Sequence, residues 1–315
     1  MSKNILIKNN SILIVGGTGF IGSHIVKEAL IRGLQVAVIS KNHKPLSDRL
    51  KGVEYLCVDI SQKDKLHNEL KDKQFQYVVN LGGYVNHSNY SSGGDKVFDV
   101  HFNGAKNLIN FLNKDVLKSF IQIGSSDEYG INSAPQNENQ REAPISPYSF
   151  AKTATTQFLQ MLYRTEQFPV VILRPFLVYG PGQGMDRFIP QVINGCIEGK
   201  EFPTSEGLQL RDFCFISDFV DSIFSSIGNT QAFGEVINIA SGEPISIKEV
   251  VMKIQRIVDS GSPQFGNSSY RKGENMKLYA NIKKAKTLLN WQPKISLEDG
   301  LKKTIKVIRN ISDER

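Results

Sequence analysis

The residues in this sequence most able to do chemistry are a tyrosine and a lysine four positions apart, Tyr148 and Lys152. Residues at this spacing share one face of a helix, and Ser146 and Pro147 before them are typical of a helix start. A lysine ammonium beside a tyrosine is expected to lower the pKa of the phenol, which is about 10 when unperturbed. Such a tyrosine can exchange a proton with a hydroxyl or carbonyl group during a hydride transfer.

The same spacing recurs at Tyr279 and Lys283, so the spacing alone proves little. The first copy follows the fifth predicted strand. Ser125 lies just past that strand, where its hydroxyl could bond the same substrate oxygen as the tyrosine. The second copy lies far from any glycine loop at a strand end. The sequence therefore favours Ser125, Tyr148 and Lys152 as the reactive group.

A glycine-rich turn reads Gly-Gly-Thr-Gly-Phe-Ile-Gly and directly follows the apolar run Ile12–Val15. Glycines let the backbone approach a pyrophosphate, and the next helix offers it unpaired N–H groups and the positive end of its dipole. The sequence therefore predicts a dinucleotide site. The residues assigned to it here are Gly16, Gly19, Phe20, Ile21 and Gly22, with Tyr148 and Lys152 at its reactive end.

The residues after the second strand bear on which dinucleotide binds. An acid there bonds the ribose of NAD, whereas basic residues suit the 2′-phosphate of NADP. This chain has Ser40, Lys41 and Lys44 and no acid, which favours NADP(H) over NAD(H), unless the lysines are only solvated charges. Asp59 and Ile60, after the third strand, are placed to cover the adenine, unless Asp59 only caps the next helix.

The elements that must position these residues alternate between strands and helices. The predicted strands are Ser11–Val15, Gln35–Ile39, Tyr55–Val58, Tyr77–Leu81, Ser119–Ile123 and Val170–Leu173. Strands separated by helices form a parallel sheet covered on both faces. The predicted fold class is therefore α/β, a Rossmann-type doubly wound parallel sheet with a smaller mixed α/β C-terminal substrate domain.

Glycine and proline become frequent after Pro175, which predicts a change of domain. We assign residues 1–178 to the dinucleotide-binding domain, and we expect a strand and helix within 211–240 to return to it. Residues 179–210 and 241–315 are assigned to the substrate-binding domain.

Composition argues against several classes of function. The net charge is +7 over 315 residues, and the lysines are densest at positions 283–286 and 302–306. No aromatic residues interleave these two lysine clusters, so we expect no nucleic-acid partner. No apolar run reaches the roughly 18 residues of a membrane span, and the N-terminus has no signal-peptide pattern, which predicts a cytoplasmic protein without a membrane partner. The dispersed cysteines and histidines predict neither disulfides nor a metal site.

Together these residues resemble the extended short-chain dehydrogenase/reductases, and among them the NAD-dependent epimerase/dehydratase family. The blocks that carry the resemblance, in family order, are GGTGFIG, PYSFAK, RPFLVYGPG, RDFCFISD, INIASG and LNWQPKISLEDGL. The resemblance implies a nucleotide-diphosphate sugar as substrate. It also implies a homodimer joined through a four-helix bundle, with helices near Val97–Phe111 and Tyr148–Tyr163 from each subunit.

The resemblance also implies roles for individual residues. Ser125, Tyr148 and Lys152 form the catalytic triad. Arg211 matches the arginine that holds the nucleotide part of the substrate, and Arg187 lies in a loop that commonly reaches the same ligand.

The chain departs from the family pattern in three respects. His101 and Leu177 stand where the family usually has asparagine, and Gly82-Gly83 replaces an alanine pair near the cofactor. The first two departures put the class of substrate in doubt, while the hydride chemistry is untouched.

Three reactions share such a site. The non-acidic end of the second strand favours an NAD(P)-dependent reductase that acts at C4 of a 4-keto-6-deoxy nucleotide sugar, with Tyr148 as the acid. The alternatives are a 4-epimerase and then a 4,6-dehydratase, for which Asp127, two places after Ser125, would serve as an acid. A non-enzymatic protein that senses dinucleotides is the remaining class.

Overall fold

The computed structural model describes residues 11–270 and 273–313. The strands, numbered along the chain, are β1 (Ser11–Val15), β2 (Gln35–Ser40), β3 (Val53–Cys57), β4 (Tyr77–Asn80), β5 (Ser119–Ile123), β6 (Val170–Pro175), β7 (Leu177–Tyr179), β8 (Glu201–Thr204), β9 (Leu210–Arg211), β10 (Phe213–Phe215), β11 (Val236–Ile239), β12 (Ile245–Ser246), β13 (Ser262–Phe265) and β14 (Lys277–Leu278). The helices are α1 (Phe20–Ile31), α2 (Lys63–Leu70), α3 (Gly94–Phe98), α4 (Gly104–Phe111), α5 (Pro147–Glu166), α6 (Phe188–Ile197), α7 (Ile216–Ser226), α8 (Ile247–Val258), α9 (Lys283–Leu289) and α10 (Leu297–Asp313).

A parallel sheet of seven strands, in the order β11-β6-β5-β4-β1-β2-β3, forms the centre of the fold. The order reverses direction between β1 and β4, and ligands of open α/β sheets bind beside the carboxyl ends of the strands at such a point. The predicted α/β, Rossmann-type fold class is confirmed. The six predicted strands are present, although β3 begins earlier than predicted because Val53 already pairs with Val36 of β2.

Apolar side chains on both faces of the sheet explain why helices cover it twice. Along β1, Ile12 and Ile14 enter one core and Leu13 and Val15 enter the other. Helices α1 and α7 pack on the first face, while α2, α4 and α5 cover the second. This alternation follows from the two-residue period of a strand and leaves the carboxyl ends of the strands to build a site.

The C-terminal half of the chain is interleaved with the sheet. β11 pairs with β6 and closes the sheet on that side. Within 211–240, helix α7 packs on the sheet and β11 joins it, whereas β9 pairs with β12 and β14, and β10 pairs with β7. The division into two domains stays a prediction.

Some expectations fall on residues that the structure does not describe. Residues 1–10, in which we found no signal-peptide pattern, lie outside the described residues. These residues begin the assigned dinucleotide-binding domain. Residues 314–315, which end the assigned substrate-binding domain, are also outside the described residues. Among the helices that are described, none combines the length and the apolar character needed to cross a bilayer.

Candidate active site

Helix α5 presents Tyr148 and Lys152 on its buried face. It begins as predicted, since Ser146 Oγ accepts a hydrogen bond from the Ser149 backbone N–H and Pro147 occupies the first turn. The exposed fraction is 7% for Tyr148 and 5% for Lys152. The second copy of the motif is not built this way, because Tyr279 follows β14 while Lys283 only begins α9.

The Lys152 ammonium lies beneath Tyr148 and is fixed by the end of β5. Its Nζ donates a hydrogen bond to the carbonyl oxygen of Ile123 at 2.8 Å and lies 5.9 Å from the centre of the Tyr148 ring. Burial lowers the pKa of Lys152 to about 8, although the Glu128 and Asp127 carboxylates act to raise it. The lysine is therefore a buried group that can change its charge near neutral pH.

The phenol of Tyr148 is the harder of the two groups to ionise. Burial raises its pKa above the ordinary value, and the Asp127 carboxylate adds to the increase. A hydrogen bond with the Ser125 side chain and the positive charge of Arg187 offset part of the rise. The net direction of the pKa shift is therefore opposite to the expected one, because helix spacing reveals a neighbouring charge but not the cost of burying the phenolate.

Ser125 lies on a short turn after β5 that a capping box holds in shape. Ser125 Oγ accepts from the Asp127 backbone N–H at 3.1 Å, and Glu128 Oε1 accepts from the Ser125 backbone N–H at 2.8 Å. This reciprocal pairing satisfies both backbone donors. The turn therefore brings Ser125 and Asp127 to Tyr148 in a fixed geometry.

A buried ion-pair network supports this turn from below. Arg174, in β6, donates Nη2 to Glu128 Oε2 at 2.7 Å and to Glu142 Oε1 at 2.5 Å. The Glu128 and Arg174 side chains are both fully buried, and Thr156 of α5 also donates to Glu128 Oε2 at 2.8 Å. Sequence reasoning did not identify this network, although the Ser-x-x-Glu spacing from Ser125 to Glu128 is a recognisable capping signal.

Two imidazoles flank the Tyr148 ring. The ring centre of His101 lies 5.2 Å away on the buried side, and that of His87 lies 5.5 Å away on the side nearer solvent. His87 Nε2 is 3.8 Å from Asp127 Oδ2. His87 was not singled out in the sequence. Its place on the loop after β4, beside the point where the strand order reverses, is the signal that could have identified it.

The glycine turn has the geometry that a dinucleotide needs. A Cβ on Gly22 would overlap the carbonyl oxygen of Gly16, so α1 can approach β1 closely only with glycine there. A Cβ on Gly19 would meet nothing nearer than 3.4 Å, and no side chain caps the start of α1 at Phe20. Ile21 follows in the first turn of that helix. An anion can therefore reach the helix N-terminus, and these residues fit a pyrophosphate.

The residues predicted to read the adenosine side lie at the ends of β2 and β3. Lys41 Nζ is 3.1 Å from Asp59 Oδ2, while Ser40 Oγ donates to the carbonyl oxygen of Asn42 at 2.8 Å. Burial would raise the pKa of Asp59, but hydrogen bonds from Ser61 and Lys41 hold it below the ordinary value. Asp59 is therefore an ionised partner of Lys41, and it also caps the turn at Ser61.

The two arginines predicted to bind substrate are placed differently. Arg187 immediately precedes α6, and its charge acts on Tyr148. Arg211 lies in β9, where it is ion-paired with Glu274. Asp212 accepts backbone hydrogen bonds from Ser241, Gly242 and Ala280. Arg187 therefore lies near enough to Tyr148 for its charge to act on the phenol. Arg211 lies in the small sheet formed by β12, β9 and β14.

Comparison with known proteins finds relatives and solved structures that are similar along nearly the whole chain. A *Bacillus subtilis* protein described as an uncharacterized UDP-glucose epimerase is 28% identical, with 95% of this chain and 98% of the relative aligned. A UDP-N-acetyl-alpha-D-glucosaminuronate decarboxylase from *Bacillus cytotoxicus* is 27% identical over 96% of this chain and 98% of its own. The crystal structure of UDP-glucuronic acid 4-epimerase from *Bacillus cereus*, in complex with UDP-glucuronic acid and NAD, superposes with a TM-score of 0.84 at 27% identity, covering 96% and 99% of the two chains.

The family assignment rests on the extent of the match. The model of the NAD dependent epimerase/dehydratase family matches residues 12–240, which is well over half of the chain. That range holds the glycine turn, the capped turn at Ser125 and the Tyr148–Lys152 pair described above. The chain therefore belongs to the NAD-dependent epimerase/dehydratase family.

Proposed function

We propose that this protein is a 4-epimerase of a nucleotide-diphosphate sugar that keeps its nicotinamide cofactor bound between turnovers. The observation that carries the proposal is the grouping of Ser125, Tyr148 and Lys152 at the carboxyl end of β5. Similarity along nearly the whole chain to proteins named as UDP-sugar epimerases supports this reaction over the 4-keto reduction that the sequence favoured.

The chain's own residues have separate tasks in this reaction. When bound, a nicotinamide cofactor would supply the hydride chemistry, in which hydride leaves C4 of the sugar and returns to its opposite face. Tyr148, as the phenolate, takes the proton of the C4 hydroxyl and later gives it back, while Ser125 holds the oxygen between those steps. Lys152 lies beneath the phenol, so its positive charge opposes the effect of burial once the phenolate forms.

A product assay tests the epimerase proposal. UDP-glucose and UDP-glucuronic acid are incubated with the purified protein without added cofactor, and the products are separated by chromatography. We expect a 4-epimer to accumulate to equilibrium with no net change in nicotinamide absorbance. Stoichiometric NADPH consumption with a 4-keto-6-deoxy nucleotide sugar would replace this proposal with the reductase.

A 4,6-dehydratase is the second candidate because of Asp127. This carboxylate acts on Tyr148 and lies 3.8 Å from His87, so two further groups able to transfer protons border the reactive phenol. Once C4 is oxidised, the C5 proton becomes acidic, so such groups can remove it and protonate the C6 hydroxyl, which leaves as water. The hydride taken from C4 would then return to C6. A product lighter by one water in the same assay identifies this reaction.

The cofactor preference depends on Lys41. Its ion pair with Asp59 offsets the charge that would attract a 2′-phosphate, so we propose NAD(H) as the resident cofactor. Measuring the dissociation constants of NAD(H) and NADP(H) for the wild-type protein distinguishes this proposal from the sequence-based prediction of NADP(H).

The sequence-based NADP(H) prediction requires that replacing Lys41 by alanine weakens NADP(H) about tenfold or more and spares NAD(H), whereas the NAD(H) proposal predicts little change for either dinucleotide. The reason is that a charge-assisted contact to the 2′-phosphate contributes roughly 1.5–3 kcal/mol. Lys44→Ala is the matched control, because the Lys44 ammonium lies over the Tyr55 ring and, among the described residues, it is Lys41 that pairs with Asp59. Equal weakening of both dinucleotides by Lys41→Ala would show that this lysine does not read the 2′-phosphate.

We also propose a homodimer through α3, α4 and α5. Phe98 stacks on Phe150 at 5.8 Å and on Phe102 at 5.0 Å, and Phe150 is 55% exposed on the outer side of α5. A cluster of partly exposed aromatic residues favours a protein interface. Phe150→Glu should give a monomer in light scattering, whereas Ile31→Glu, at an exposed apolar residue of α1, should not. A Phe150→Glu protein that stays dimeric would rule out this interface.

A further inference from the structure

His101 lies in an irregular stretch of an otherwise α-helical segment. The five residues between α3 and α4, Asp99–Asn103, form a π-helical turn. Such turns are rare and are frequent at functional sites. In this turn His101 is buried, and its ring meets Tyr148 edge to face, with the planes at 76°.

The imidazole of His101 is seated on Gly83. Gly83 has a φ of +124°, and a Cβ built on it would overlap the ring of His101. The ring therefore fills the space that any side chain at position 83 would need. The two departures at His101 and Gly83, which are separate in the sequence, form one contact in the structure.

Two hydrogen bonds join His101 to the elements on either side. Its Nε2 lies 3.0 Å from the carbonyl oxygen of Tyr84, in the loop after β4, and its own carbonyl oxygen accepts from Thr155 Oγ1 of α5 at 3.3 Å. Burial, with a smaller contribution from the Lys152 ammonium, lowers the pKa of His101 to about 3. The imidazole is therefore neutral, and Nε2–H donates to the Tyr84 carbonyl.

We propose that His101 is a positioning residue for Tyr148, and that its ring, seated on Gly83, sets the spacing between the loop after β4 and the reactive face of α5. The proposal rests on the catalytic role given to Tyr148 above. The same loop carries His87, so this spacing also determines how His87 faces Asp127. Misplacement of a reacting group by about 1 Å can lower a rate about a hundredfold.

The first test adds a methyl group beneath the ring. Gly83→Ala is expected to lower kcat about a hundredfold on whichever of UDP-glucose and UDP-glucuronic acid the wild-type protein converts, with KM changed less than about threefold. Gly93→Ala is the matched control, because Gly93 also has a positive φ, of +98°, but a Cβ there meets nothing within 4 Å. A Gly83→Ala protein as active as Gly93→Ala would overturn the proposal.

A double-mutant cycle then tests whether the loss of activity in Gly83→Ala depends on the ring of His101. His101→Ala alone is expected to lower kcat at least about tenfold while leaving the dinucleotide dissociation constant within about threefold. Once the ring is gone, adding Gly83→Ala should cost no more than Gly93→Ala does in the same background. Effects of the two substitutions that simply multiply would mean that the contact is not the cause.

A measurement without turnover separates this inference from the proposed function. In ¹⁵N-histidine-labelled protein, with the signal assigned through its loss in His101→Ala, His101 should remain the neutral Nε2–H form from pH 5 to 9. Lys152, Tyr148 and Tyr84 are the groups that face it. An active Tyr148→Phe protein would refute the proposed function and leave this signature intact. A His101 signal that titrates near its ordinary value of about 6.5, or shows the other tautomer, would refute the positioning role.

Discussion

Tyr148→Phe should reduce turnover by about 10² to 10⁴ while the fold and dinucleotide binding stay close to wild type. The substitution removes one hydroxyl from a buried ring and keeps the contacts of that ring with His101 and His87. The lost hydroxyl is the group that exchanges a proton with the substrate and pairs with Ser125. Steady-state kinetics, circular dichroism and dinucleotide titration on one preparation measure all three quantities.

Tyr279→Phe is the matched control for this experiment. It alters the other tyrosine that precedes a lysine by four residues, but Tyr279 and Lys283 do not share a helix. Its turnover should stay within about twofold of wild type, since Tyr279 is only partly buried and the substitution keeps its ring. If Tyr148→Phe stayed within a few-fold of wild type, Tyr148 would have no part in the chemistry.

Arg174→Met should destabilise the protein by about 3–5 kcal/mol, because it leaves the fully buried Glu128 carboxylate without its cation. The lost interaction joins β6 to the turn that holds Ser125, so the Ser125 turn should loosen as well. We expect the melting temperature to fall by roughly 5–10 °C. Differential scanning calorimetry, with and without dinucleotide, measures the change.

Lys114→Met is the matched control, because it breaks an ion pair that is exposed to solvent. The Lys114–Glu166 pair has a similar distance, 3.0 Å, but about half of each side chain is exposed. Breaking it should cost no more than about 1 kcal/mol. Equal losses for Arg174→Met and Lys114→Met would mean that the buried network contributes little to stability.

Local signals in the sequence explain which features could be predicted. The six strands, the glycine turn and the capped start of α5 each depend on residues within a few positions of one another. The same holds for the spacing of Tyr148 and Lys152 along one helix face. These features follow from periodicity, capping and the conformational freedom of glycine.

The features that were missed depend on contacts between distant segments. Arg174 meets Glu128 only because β6 lies beside β5. Arg211 pairs with Glu274, just before β14, because β9 and β14 are neighbours in the small sheet. The direction of the Tyr148 pKa shift depends on burial, which spacing along one helix does not reveal.

The position of β11 at the edge of the sheet has a consequence for how the chain is made. During synthesis β6 leaves the ribosome roughly sixty residues before the strand that covers its edge, a delay of several seconds at ordinary rates of translation. Throughout that interval an apolar strand has an unpaired edge, and such edges recruit other chains. A fragment that stops at residue 178 would keep this edge permanently, so we expect it to aggregate when expressed alone and to need residues through Ile239 for solubility.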